Sequence, residues 1–177
     1  MKNLLSFVLM LLISLSAMAQ GDAFTKGSKV INAGIGLPRY NYANANFFPP
    51  ISLSYDQGIM ELGPGILGIG GIVGYYGSTY KYGTYKWGWR DILVGGRASY
   101  HPNFLVGEKH DVYGVVTLGV DAYSFTSNDP FFPESTSVGL LFGLSVGGRY
   151  FFSPKFGVFG ELGYSFTYAT LGVSLKL

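Results

Sequence analysis

Along eight stretches of this chain every second side chain is apolar, and the positions between carry small or polar residues. In order they cover 29–37, 51–56, 66–77, 90–100, 112–123, 137–151, 157–166 and 169–177. A period of two marks a β-strand whose two faces meet different surroundings. In the last stretch Ala169, Leu171, Val173, Leu175 and Leu177 share one face, and Thr170, Gly172, Ser174 and Lys176 share the other. In the sixth, Val138, Leu140, Phe142, Leu144, Val146 and Tyr150 oppose Gly139, Gly143, Ser145, Gly147 and Arg149. A sheet built this way is oily on one side only. Too little helical periodicity accompanies it to cover that side with helices, which leaves lipid, a second sheet or another copy.

Composition favours lipid. Charged residues are 12% of the chain, against about 25% in an ordinary soluble domain, so the surface would be poorly solvated in water. Hydrocarbon tolerates no unpaired backbone N–H or C=O, and a spanning sheet therefore has to close on itself. Eight strands of roughly 9–11 residues suffice. The predicted fold is all-β: an eight-stranded antiparallel up-and-down transmembrane β-barrel. The 27 glycines suit a narrow interior where chains bend and pass closely. Outward aromatics fall near the strand ends, Tyr55, Tyr100 and Tyr150 at one and Tyr75, Tyr164 and Phe166 at the other, an arrangement that predicts two interfacial girdles. Arg97, Asp121, Arg149 and Glu161 fall on the inward row as two cations and two anions, predicting a paired charge network that plugs the lumen.

The N-terminus supplies an address. Lys2 precedes an apolar run from Leu4 to Leu15, and Ala17-Met18-Ala19 forms an A-x-A cleavage site. The run is shorter than the roughly 20 residues that span a bilayer. The expected division is a signal peptide at 1–19, a short periplasmic segment at 20–28 and a barrel domain at 29–177. Without Lys2 the 12 basic residues fall to 11 against 10 acidic ones, a near-balance that gives no case for nucleic-acid binding. The absence of cysteine excludes disulfides, a lipid-modified cysteine anchor and thiolate metal sites.

The connections separate two ends. Segments 38–50, 78–88 and 124–136 read as long polar and aromatic loops, 153–156 as a tight turn, and the connection near Thr167 as short. His101 and His110 fall in the connection 101–111, at the rim opposite to that where a lipid A deacylase would hold its nucleophile and base, and are expected in a polar turn. Glu108, His110 and Asp111 match no metal-ligand spacing and are expected to be solvated. Gly63-Pro64-Gly65 and the glycines at 68–71 precede no helix that would bind phosphate. No catalytic, cofactor-binding or metal site is expected. The stretch 75–90 interleaves aromatics with bases, making Tyr80, Lys81, Tyr82, Tyr85, Lys86 and Trp87, with Arg90, a candidate loop contact for sugars or anionic lipopolysaccharide headgroups.

From residue 29 onward the strand pattern, leader and ending resemble the small outer-membrane barrels of Gram-negative bacteria similar to OmpA and OmpX, in the plainer versions common in the Bacteroidetes. The final residues, with Thr170, Gly172, Leu175 and Leu177 in a polar-x-Gly-x-x-apolar-x-apolar pattern, look like the C-terminal signal read by the barrel-assembly machinery, although many members end in Phe. The resemblance implies a non-enzymatic protein of the cell outer membrane with a structural or surface-interaction role; its oligomeric state is left open, a monomer being favoured. Its expected partners are outer-membrane lipid, lipopolysaccharide and, during biogenesis, the assembly machinery. The alternatives are a narrow pore for a small solute, an outer-membrane lipid-modifying enzyme and a soluble secreted β-sandwich.

Overall fold

The computed structural model of the protein describes residues 22–39 and 46–177. The expected signal peptide, the first residues of the segment after it and residues 40–45 of the first connection lie outside the described residues. Eight strands follow in order: β1 (Lys29–Pro38), β2 (Asn46–Glu61), β3 (Gly65–Tyr82), β4 (Tyr85–Pro102), β5 (His110–Ser127), β6 (Ser135–Phe151), β7 (Phe156–Tyr164) and β8 (Thr167–Lys176). Each pairs antiparallel with its sequence neighbour, and β8 returns to pair with β1 from Val30↔Lys176 to Pro38↔Thr167, closing the barrel. Closure leaves no open sheet edge, as the single-sided alternation required.

The strands are longer than the alternation indicated, and their extra length falls unevenly. β3, β4 and β5 have 18 residues each, whereas β7 has 9 and β1 and β8 have 10. One wall therefore rises above the other at the rim opposite the termini, here called the upper rim. The connections shrink as the strands lengthen. The segment 78–88 is the end of a continuous β3–β4 ladder that reaches Tyr82↔Tyr85. It turns through Gly83, whose φ of +59° is the left-handed value that two-residue hairpins favour. At the lower rim, β2 and β3 are joined by a three-residue turn around Gly63, and 101–111 yields its ends to β4 and β5, keeping a short 3-10 turn at Asn103–Leu105.

Outside, the alternation predicts exposure well. Val94, Leu118, Leu140, Leu144, Leu162, Leu171 and Val173 are all exposed, Leu140 by 94%. This apolar belt is far larger than the few hundred Å² a water-soluble monomer shows. Inside, large rings lie across glycines of other strands. A Cβ on Gly147 would sit 2.5 Å from the Tyr113 ring, and one on Gly74 would sit 2.7 Å from Phe166. The glycines are thus the holes into which the lumen's large side chains pack.

Phe166 corrects an expectation. It was placed in the outward girdle, but β7 ends at Tyr164, and Ser165-Phe166 forms the turn into β8. Beyond the strand the alternation lapses, and Phe166, 5% exposed, swings inward to pack with Ile72, Tyr76, Leu93 and Leu141. Tyr168 takes its outward place, half exposed, with its ring 6.1 Å from that of Tyr164. Tyr75, Tyr150 and Tyr164 are outward and exposed, and Tyr55 and Tyr100 are outward and half-buried. Tyr55 bonds Gln57 and Tyr100 bonds the Leu62 carbonyl.

Candidate functional site

Two regions carry chemistry: the lower lumen and the upper hairpin. In the lower lumen the inward rows of seven strands, all but β3, converge. Asp56 on β2 accepts from two guanidiniums at once, Arg97 Nε at 3.1 Å and Arg149 Nη2. Arg97 forks to Glu161 on β7 at 2.6 and 3.4 Å, and Tyr113 donates to the same carboxylate at 2.8 Å. Arg149 reaches Asp111 at 2.9 Å and Asn32 at 3.2 Å, and Ser174 on β8 also donates to Asn32. Arg97, Arg149, Asp56 and Asp111 are almost wholly buried. Acidic and basic side chains can be buried together there because each is hydrogen-bonded to a partner of opposite type.

The sequence-predicted four do not form one network. Arg97 and Glu161 pair directly, and Arg149 joins them through Asp56. Asp121 lies higher, bonded to Arg39 at 2.8 Å beyond the apolar layer that contains Phe166. The members missed were Asn32, Asp56, Ser99, His101, Asp111, Tyr113 and Ser174. Extending the inward rows of β4 and β5 by two residues reaches His101 and Asp111, so their parity was the available signal.

His101 and Asp111 are also corrections. Expected in a solvated turn, both are fully buried at the ends of β4 and β5. His101 bonds Asp111 through Nδ1 at 2.7 Å and Ser99 through Nε2 at 2.9 Å. Its ring stacks on Tyr113 at 5.1 Å and on Phe24 at 3.8 Å. Phe24 belongs to the segment before β1, which enters the lower mouth. The segment is held by Ala23 N–H to the Gly107 carbonyl, Gly27 N–H to the Gly58 carbonyl and Lys176 Nζ to the Asp22 carbonyl. Phe24 is 1% exposed and closes the network from below. Serine, histidine and aspartate are connected here as in a hydrolase triad, but Ser99 is 1% exposed under Phe24, and Asp111 is shared with Arg149. Between this network and the apolar layer lies a hollow of about 20 Å³ lined by Arg97, Glu161 and Phe166, room for about one water molecule.

At the upper rim the structure separates residues that the sequence interleaves. Lys81, Lys86 and Arg90 occupy the outward rows of β3 and β4 with Tyr75 and Ile92, whereas Tyr80, Tyr82, Tyr85 and Trp87 occupy the inward rows with Tyr76 and Leu93. The aromatics gather on that inner face. Trp87 lies 5.7 Å from Tyr80, 6.0 Å from Tyr85 and 6.4 Å from Phe132 of the 128–134 loop. The expected single contact surface is therefore two, one aromatic and one basic. In the terminal segment, Thr170 faces inward and bonds Thr167 at 2.6 Å, Gly172 lies under the Phe159 ring, and Leu177 donates its backbone N–H to Lys29. Among the described residues no group of three or more His, Cys, Asp and Glu side chains is placed to hold a metal.

Comparison with known proteins yields likeness of fold. The N-terminal β-barrel domain of Pseudomonas aeruginosa OprF matches over 86% of this chain and 98% of its own, with a TM-score of 0.55 and 15% identity. Ail, the attachment invasion locus protein of Yersinia pestis, in complex with the heparin analogue sucrose octasulfate, matches over 86% of this chain and 96% of its own. Its TM-score is 0.51 and its identity 14%. Both are eight-stranded outer-membrane β-barrels. No protein-family model and no curated protein matches the sequence.

Proposed function

We propose that this protein is a non-enzymatic integral barrel of the bacterial outer membrane, exported with a cleaved leader at 1–19, whose lumen is plugged and whose role is structural or surface-interactive. The observation that carries the reading is the pairing of an apolar exterior with a lumen filled by its own side chains. The lower network, the apolar layer around Phe166 and the Arg39–Asp121 pair stand in series along the axis, and an eight-stranded wall is just wide enough to be filled in this way. Passage of a solute would require breaking buried ion pairs, which opposes the pore reading. Burial of Ser99 beneath Phe24 likewise opposes the hydrolase reading. The C-terminal pattern at Thr170, Gly172, Leu175 and Leu177 supports recognition by the assembly machinery, and the upper hairpin, raised above the rest of the rim, is the surface offered to partners. Ail is described in complex with the heparin analogue sucrose octasulfate, and the outward cations of this hairpin suit a polyanion. Reconstitution into planar bilayers tests the plug: the intact protein is expected to give no stable unitary conductance, and a steady open channel overturns it.

A further inference from the structure

Two grooves on the outer wall meet at Tyr75. The lower is a furrow of about 660 Å³ across β8, β1, β2 and β3, walled by Ala33, Ile35, Leu53, Val73 and Leu171. It forms where small side chains, Ala33 above all, leave the outward row shallow between taller neighbours. The upper is a notch of about 330 Å³ on β2 to β5, open above Gly77 and Gly88 and edged by Thr79, Ser124, Thr126, Lys86 and Arg90. Tyr75 is the shared wall, and its hydroxyl leans over Gly77, the cross-strand partner of Arg90.

Among the described residues no ion pair answers the notch cations Lys86 and Arg90 or Lys81 beside them. Lys81 and Lys86 are direct cross-strand partners, with Arg90 further down the same face. Like charges placed opposite one another destabilise a hairpin. The acidic residues of the upper β4 and β5, Asp91 and Asp121, lie on the inward rows. An oily furrow adjoining a basic, hydroxyl-lined notch across Tyr75 matches an amphiphile with anionic oxygens.

Resting on the outer-membrane reading above, we propose that this wall holds one phosphate-bearing lipid, its acyl chains in the furrow beside Ala33 and Val73 and its phosphate among Lys81, Lys86 and Arg90. The bound phosphate then relieves the Lys81–Lys86 repulsion and steadies the raised hairpin, so the lipid is retained while its neighbours exchange.

Native mass spectrometry of the detergent-purified protein, titrated with diphosphorylated lipid A, its dephosphorylated form and inorganic phosphate, tests this. One phosphorylated lipid is expected to be retained, with binding weaker by at least about tenfold for the dephosphorylated lipid and for the combined Lys81→Gln, Lys86→Gln, Arg90→Gln variant, the scale of losing a charge-assisted hydrogen bond. Ala33→Phe, which fills the furrow and leaves the cations intact, is expected to weaken retention as well. Equal retention by the triple variant overturns the proposal, as does displacement of the lipid by millimolar inorganic phosphate alone, or a second copy of the chain in place of the lipid. Each sample is also run on a gel with and without boiling. A heat-dependent shift shows a closed barrel, so a folded protein that retains no lipid contradicts this proposal alone, and loss of the shift in the unaltered protein contradicts the membrane reading beneath it.

Discussion

Asp56 is the residue on which the lower lumen turns, because one carboxylate answers both Arg97 and Arg149. Removing it leaves two guanidiniums facing each other out of water, and loss of one partner from a buried ion pair costs about 3–5 kcal/mol. Asp56→Ala is therefore expected to lower the folding stability of the barrel in vesicles by that amount, read as a lower urea midpoint with unchanged slope; an unchanged midpoint contradicts the network. The glycine holes make a separate demand. Gly74→Leu would force its side chain against Phe166, and overpacking of this kind costs about 1–3 kcal/mol, measurable in the same titration. His101 offers a chemical readout. It is fully buried under Phe24, whereas His110 is exposed, so diethyl pyrocarbonate is expected to modify only His110 in the unaltered protein and both histidines after Phe24→Ala. Modification of His101 in the unaltered protein contradicts the closure by Phe24.

At the scale of the element, strand identity and facing were legible and strand length was not. The alternation in 137–151 or 169–177 needs no context, because lipid and lumen impose opposite chemistry on successive residues. It fades where both faces meet similar surroundings. On the hairpin above the apolar belt both faces are polar or aromatic, so 78–88 read as a loop, although its parity already set Lys81, Lys86 and Arg90 against Tyr80 and Trp87. At the lower rim His101 and Asp111 looked like turn residues because polar side chains at strand ends usually meet water. Here the segment carrying Phe24 covers them, and nothing in their immediate sequence announces a cover from 77 residues away, the separation of Phe24 from His101. Phe166 failed for a third reason, since two turn residues cancelled the alternation on which its facing was counted. A hairpin held by a continuous ladder rather than a loose loop makes its own prediction. Amide hydrogens between Ser78 and Trp89 are expected to exchange slowly, in the manner of paired strands, and exchange as fast as in the 128–134 loop contradicts the ladder.

The whole molecule is an inverted soluble protein: its polar groups are gathered on the axis, its oily residues face outward, and eight pairings without an edge satisfy the backbone. Stability then comes from backbone closure and the interior network, and solubility is left to the surrounding lipid. Outward positions of the belt should accordingly tolerate any apolar residue, while inward glycines and charges should not. Contact of the alternate-residue face with acyl chains is the claim beneath all others, and the absence of native cysteine allows single spin labels to test it. Labels at Leu140, Leu144 and Leu171 in liposomes are expected to collide freely with oxygen and hardly at all with a water-soluble nickel chelate, the reverse of a label at Phe131 in the upper loop. Equal access of the nickel chelate to Leu140 and Phe131 would show that the outer face meets water and would contradict the membrane-spanning barrel.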